Sequence, residues 1–259
     1  MSTADASQAK YGIDELQAAL DAETQLRLEA EDNLRRTKEG FEEFLLNAAH
    51  DLREPLRTVS AYCELLSRKD IERSESELEQ FCRYVLEGTR RMQALIADMV
   101  EYTTAAPDGR YFLATDMNEV FGEASRYATP QSGHPVVVVT REPLPVVKGD
   151  FGKLAKVARH LFDNAVKYCE KEECRIHVSS RRQGDEWLFM VRDDGPGIDE
   201  VYHESVFEPF KRLHGRQYAG SGLGLTFCRK VIESHGGRIW IESRPGEGST
   251  FLFTLSVAD

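Results

Sequence analysis

Between residues 10 and 104 the chain has a single proline, Pro55, and only three glycines, Gly12, Gly40 and Gly88. A stretch this poor in helix breakers, with apolar residues recurring every three, four or seven positions, has one economical solution: helix. Ile13, Leu16 and Leu20 begin the pattern, and Leu34, Phe41, Phe44 and Ala48 continue it. With Ile13 as heptad position a, the a series is Ile13, Leu20, Arg27, Leu34, Phe41 and Ala48. The d series is Leu16, Glu23, Ala30, Thr37 and Phe44, so Glu23, Arg27 and Thr37 weaken the seam. The spacing predicts a long helix over about 10–68, after a disordered tail at 1–9. The polar run SRKDIERSESE at 67–77 breaks it, and a second helix follows over about 75–104. Residues 10–45 are expected to be a marginal coiled-coil signalling helix, and 46–104 a hairpin that pairs in a homodimer as a four-helix bundle.

AAPDGR at 105–110 is a linker signal, and the texture changes after it. VVVV (136–139), CRIHVSS (174–180), EWLFMVRD (186–193), RIWIES (238–243) and STFLFTLSV (249–257) read as strands. Segments 116–127, 150–169 and 222–235 read as helices. The expectation for 111–259 is an α/β sandwich: one mostly antiparallel sheet with helices on one face. At 259 residues, two domains fit the length. Lys plus Arg is 33 against 44 Asp plus Glu, a net charge of −11, which argues against nucleic acid or anionic lipid as partner. No apolar run approaches a membrane span, and the first ten residues carry no secretion signal. Five cysteines, Cys63, Cys82, Cys169, Cys174 and Cys228, form no CxxC pair and read as reduced thiols in a cytoplasm.

Four segments of the second domain carry site chemistry. HLFDNAVKY (160–168) puts Asn164, an oxygen donor suited to a hard cation, among apolar helix positions. VRDDGPGI (191–198) ends a strand with Asp193, whose carboxylate can accept a hydrogen bond from an adenine amino group, beside Gly195 and Gly197. VFEPFKRLHGRQYAGSGLGL (206–225) passes from apolar through basic Lys211, Arg212 and Arg216 to glycines that open a helix, a device for phosphate. RPGEGSTF (244–251) reads as a glycine turn. Each alone is also an ordinary packed helix or turn; their order and spacing carry the reading.

In that order they resemble the N, G1, F and G2 boxes and the last glycine turn of the sensor histidine kinases, within the GHKL ATP-binding superfamily, over about 110–257. The resemblance implies that family's ATP-binding sandwich and the cofactors ATP and Mg²⁺. Asn164 would hold Mg²⁺, directly or through water, with Lys167 the basic residue after it. Asp193 would read adenine, and Gly195 and Gly197 would shape the floor. Phe207 and Phe210 would anchor a lid carrying Arg212, and the run Gly220-Ser221-Gly222-Leu223-Gly224 would bind the nucleotide, its glycines meeting the phosphates. His160 stands where ATP-hydrolysing relatives carry Glu and the kinases commonly carry Asn; it either assists Mg²⁺ or packs.

The first domain then acquires a second reading. His50-Asp51-Leu52-Arg53-Glu54-Pro55-Leu56 lies mid-helix, with the proline removing the hydrogen bond to the Asp51 carbonyl. This resembles the H box of the same kinases, and HDLREPLR with FKRLHG looks most like the phytochrome-related branch. The resemblance implies that His50 takes the γ-phosphoryl group of ATP, with Asp51 holding the proton or tautomer on the other ring nitrogen. The receiver domain of a response regulator is the implied partner, and a bacterial cytoplasm the implied location. A sensor domain, for which 259 residues leave no room, is expected upstream. His134, His177, His203 and His235 read as surface, turn or strand residues, and His214 as a lid residue that can touch phosphate. Glu54, where phosphatase-active relatives carry Thr or Asn, implies weak phosphatase activity. A conformational ATPase and a silent scaffold are the competing functions.

Overall fold

The computed structural model describes residues 3–68, 74–105, 112–128, 135–140, 142–213 and 220–258. Residues 106–110 of the expected linker, residues 69–73 of the expected break, and His134 and His214 lie outside the described residues. The chain divides into two compact units, Met1–Glu54 and Pro55–Asp259.

Helix α1 runs Thr3–Ser67 and continues through Pro55. Residues 3–9, read as a disordered tail, are helical in it. In the first unit Leu20, Leu34 and Phe41 of the expected seam are exposed, the last two by 70% and 57%. The side chains of Ile13 and Leu16 lie outside the described residues.

In the second unit the last turns of α1 pack antiparallel to α2, Glu75–Thr103. Tyr62 stacks on Tyr84 with ring centroids 4.7 Å apart. Gly88 lets the helices meet: a Cβ there would lie 2.7 Å from Val59 Cγ2 and 3.2 Å from the Pro55 carbonyl oxygen. Helix α2 opens on a capping box in which Ser74 and Glu77 satisfy each other's backbone N–H.

The rest of the unit is one five-stranded sheet with helices against it, as the strand and helix runs predict. Strands β2 (Val136–Thr140), β4 (Cys174–Gln183), β5 (Glu186–Asp193), β6 (Ile239–Ser243) and β7 (Ser249–Ser256) lie in the order β2-β4-β5-β7-β6. Among the described residues only β2 with β4 is parallel. A separate two-stranded ribbon, β1 (Leu113–Asp116) with β3 (Val146–Gly149), was not expected. Helices α3 (Met117–Tyr127), α4 (Phe151–Lys167) and α5 (Gly224–Ser234) share one core with the sheet, in which Phe162, Phe189, Phe227 and Phe253 are fully buried. Each such side chain contributes about 1.5–3 kcal/mol by leaving water.

Cys169 and Cys174 form a disulfide with Cα atoms 5.9 Å apart, which corrects the reduced-thiol reading for these two. They flank the turn from α4 to β4, which brings them within bonding reach. Cys63, Cys82 and Cys228 are free.

Candidate functional site

In the first unit His50 is 69% exposed, and its Nδ1 lies 3.1 Å from Oδ1 of Asp51. A carboxylate only accepts, so in the neutral ring this pairing places the proton on Nδ1 and the lone pair on Nε2. That is the tautomer a nucleophilic imidazole needs.

In the second unit the sequence of α4 sorts itself by helical period. Leu154, Val157, Ala158, Leu161, Phe162, Ala165 and Val166 are buried. The intervening positions Arg159, His160, Asp163, Asn164 and Lys167 line a cavity of about 500 Å³. Asp150 caps the helix by accepting from the Lys153 N–H at 3.1 Å. Asp193 ends the central strand β5, in register with Ser249 on β7. Its Oδ1 accepts from the N–H of Gly195 at 2.8 Å and of Ser249 at 3.3 Å. Burial pushes the Asp193 carboxyl above the usual carboxylate range, and these two amides oppose the shift.

Opposite lies the glycine run. Helix α5 opens at Leu223 with no side-chain cap, whereas α2, α3 and α4 all have one. Its first N–H groups are therefore left for a ligand. Gly222 adopts φ +79°, and a Cβ there would lie 2.7 Å from the Phe210 backbone carbon. Phe210 is itself left-handed at φ +62°, so this junction tolerates little change. Gly197, at φ +74°, has no room either, since a Cβ would strike the Arg244 carbonyl oxygen.

Of the residues predicted from sequence, Asn164, Lys167, Asp193, Gly197, Arg212, Gly220, Ser221, Gly222, Gly224 and His160 line the cavity. Gly195, Phe207, Phe210 and Leu223 do not. Gly195 sits against Asp193, where a Cβ would lie 2.8 Å from Oδ1. Phe207 is buried beneath the site, with the Arg229 guanidinium 4.5 Å above its ring. Leu223 points its side chain into the core while its N–H donates to Ser221 Oγ at 3.1 Å.

The sequence reading assigned no role to Tyr168, Ser249 and Phe251, although they lie within the segments 160–168 and 244–251, and it missed Ala94 and Asp98, which reach the cavity from α2. Helical spacing alone marks Ala94 and Asp98 as one face, without saying what it meets.

His160 Nε2 lies 3.0 Å from Glu101 Oε2 on α2. His235, read as a surface, turn or strand residue, is buried. Its Nε2 accepts the Asp150 N–H at 3.0 Å, and its Nδ1 lies 2.8 Å from the Val231 carbonyl. Among the described residues no group of three His, Cys, Asp or Glu side chains is placed to hold a metal, and the cavity lining offers oxygen donors on Asn164, Asp163 and Asp98. The amide oxygen beside Lys167 and the open glycine run fits a cation carried with a phosphate, and a Cβ at Gly220 would already lie 2.9 Å from Lys167 Nζ.

Two family models match the chain. Residues 42–106 match the His Kinase A (phospho-acceptor) domain, and residues 149–259 match the histidine kinase-, DNA gyrase B-, and HSP90-like ATPase. Cyanobacterial phytochrome A of Nostoc sp. is 36% identical over 87% of this chain and 30% of its own length. Phytochrome-like protein Cph1 of Synechocystis sp. is 36% identical over 88% of this chain and 30% of its own length. The chain thus spans about a third of these relatives. The histidine kinase AdeS of Acinetobacter baumannii shares the fold at a TM-score of 0.61 and 19% identity, over 81% of this chain and 98% of that one. Histidine kinase ThkA, solved in complex with response regulator protein TrrA, shares it at 0.63 and 22% identity, over 86% and 64%. No helix among the described residues is long and apolar enough to cross a membrane.

Proposed function

The chain belongs to the histidine kinases, and from that premise we propose that it transfers the γ-phosphoryl group of ATP to His50 and then to an aspartate of a response-regulator receiver domain. The observation that carries the reading is the pairing of His50 with Asp51, which leaves Nε2 as an exposed nucleophile. Nε2 attacks the γ-phosphorus; an N–P bond forms, the bond to the bridging oxygen breaks, and ADP leaves. The Nδ1 proton stays shared with Asp51, which balances the positive charge growing on the ring. In the second step the receiver carboxylate attacks the same phosphorus, and His50 leaves as the neutral imidazole.

The nucleotide end is served by residues with separate roles. Asp193 accepts from the adenine amino group, using the oxygen its backbone bonds leave over. The uncapped start of α5 and Lys167 receive the phosphates. Asn164 would hold Mg²⁺, which when bound neutralises phosphate charge in the in-line transfer. A Glu that activates water is missing from position 160, which favours transfer to a side chain over hydrolysis. Glu54 brings negative charge one helical turn after His50, so dephosphorylation of the partner is weak. The exposed part of the α1 seam, Leu20, Leu34 and Phe41, is the surface on which two chains pair.

Incubation with γ-labelled ATP tests the reading. The wild type is expected to acquire acid-labile, alkali-stable phosphate, and His50→Gln none, with its affinity for ATP nearly intact. Labelling of His50→Gln at the wild-type level, or steady ATP turnover without phosphoprotein, would overturn it.

A further inference from the structure

His160 is the sequence feature that this scheme does not use. It lies one helical turn before Asn164 on α4, and its ring is wedged between two other helices. On one side Nε2 meets Oε2 of Glu101, in the last turn of α2, at 3.0 Å. The two side chains are only 14% and 12% exposed. A carboxylate accepts, so Nε2 carries the proton and is spent on Glu101, which removes it as a cation ligand. Oε1 of Glu101 is in turn held by Lys156 at 3.0 Å and Arg159 at 3.5 Å.

On the other side the ring abuts the first residue of α5. A Cβ on Gly224 would lie 3.1 Å from His160 Nδ1, and the ring of Phe227, one turn on, is 5.1 Å away between centroids. Gly224 closes the glycine run that lines the cavity. The imidazole is thus a spacer between the end of α2 and the start of α5. The end of α2 is itself fastened: Lys153 donates to the Thr104 carbonyl, and Lys230 donates to the Tyr102 carbonyl at 3.1 Å while lying over the Tyr102 ring.

We propose that His160 is a positioning residue that braces the phosphate-binding start of α5 against α2 through Glu101, rather than a metal ligand. The proposal rests on the nucleotide reading above. It also gives the departure at position 160 a purpose. Where ATPase relatives carry a water-activating acid, this chain couples a helix of the hairpin to the phosphate end of the cavity.

Titration calorimetry on the full chain with Mg²⁺, using a non-hydrolysable ATP analogue and adenosine, tests it. His160→Ala is expected to weaken the analogue about tenfold, the scale of one lost hydrogen-bonded support, and to leave adenosine unchanged. Glu101→Ala should move the analogue in the same direction, and the double variant should be no worse than His160→Ala. Glu101→Gln, whose amide oxygen still accepts from Nε2, should stay near wild type. Mg²⁺ should still strengthen analogue binding in His160→Ala. Should alanine unfold the chain, His160→Gln, which keeps a donor and most of the volume, takes its place and should show a smaller loss with the same selectivity. Equal losses for analogue and adenosine, additive effects of the two positions, or disappearance of the Mg²⁺ effect would overturn the bracing role. A wild type that binds adenosine and analogue equally well would overturn the phosphate reading of the site, and a wild type that binds neither would overturn the nucleotide reading altogether; the bracing role falls with either.

Discussion

On the proposed reading, Asp193 divides its two carboxylate oxygens between the protein and the nucleotide. Oδ1 is fixed by the amides of Gly195 and Ser249, so the side chain is oriented before any nucleotide arrives. Asp193→Asn replaces a carboxylate acceptor with a mixed amide and should weaken adenine nucleotides by about 1.5–3 kcal/mol, the worth of a charged hydrogen bond. Competition between adenine and guanine nucleotides checks this; equal loss for both would contradict the adenine-reading role. Asn164→Ala should abolish Mg²⁺-dependent labelling while circular dichroism shows the fold retained. That both residues line one cavity was legible in the sequence, through the order of their motifs and the family resemblance it carries. The pair His160–Glu101 was not, since its members are 59 positions apart and on different helices. His235 escaped for a similar reason: burial is decided by Asp150 and Phe112, far away in sequence, the latter stacked on its ring at 4.4 Å.

Among the elements, length governed what could be read. The five strands of the main sheet carry β-branched and aromatic runs bounded by turn residues, and α4 carries its buried face at a clean helical period. The strands β1 and β3 are four residues each, LATD and VVKG, too short for any periodicity to show. The seam of α1 was legible as a pattern, and its exposed Leu34 and Phe41 need a cover that one chain's first unit does not provide. A second copy is the cover we propose. Leu34→Glu combined with Phe41→Glu should then lower dimer affinity or uncouple the helix from kinase activity. Sedimentation velocity and labelling rate measure the two; if neither changes, the helix is only a tether.

For the molecule as a whole, acid offers a way to weigh the contact between α2 and the ATPase fold. The hydrogen bond from His160 holds the Glu101 carboxyl at about 2, from an ordinary 4.5, against burial, which pushes it up; the charges of His160 and Lys156 add to the lowering. A carboxyl lowered on folding stabilises the folded chain fully above its unfolded value and loses that contribution as protons bind between about 4.5 and 2. The full shift is worth about 3 kcal/mol, less what solvent screening takes from a half-buried pair. Every other carboxylate of this acidic chain also titrates in that range, so the absolute loss of stability says little about Glu101. Its own share is the difference between wild type and Glu101→Gln, in which the remaining acids cancel. Urea unfolding should find the variant less stable at pH 5, with the gap closing as pH falls from 4.5 toward 2.5. A gap that stays constant down to pH 2.5 would mean that the ionised form of Glu101 adds nothing beyond what its protonated form supplies, so that its charge has no part in holding the end of α2.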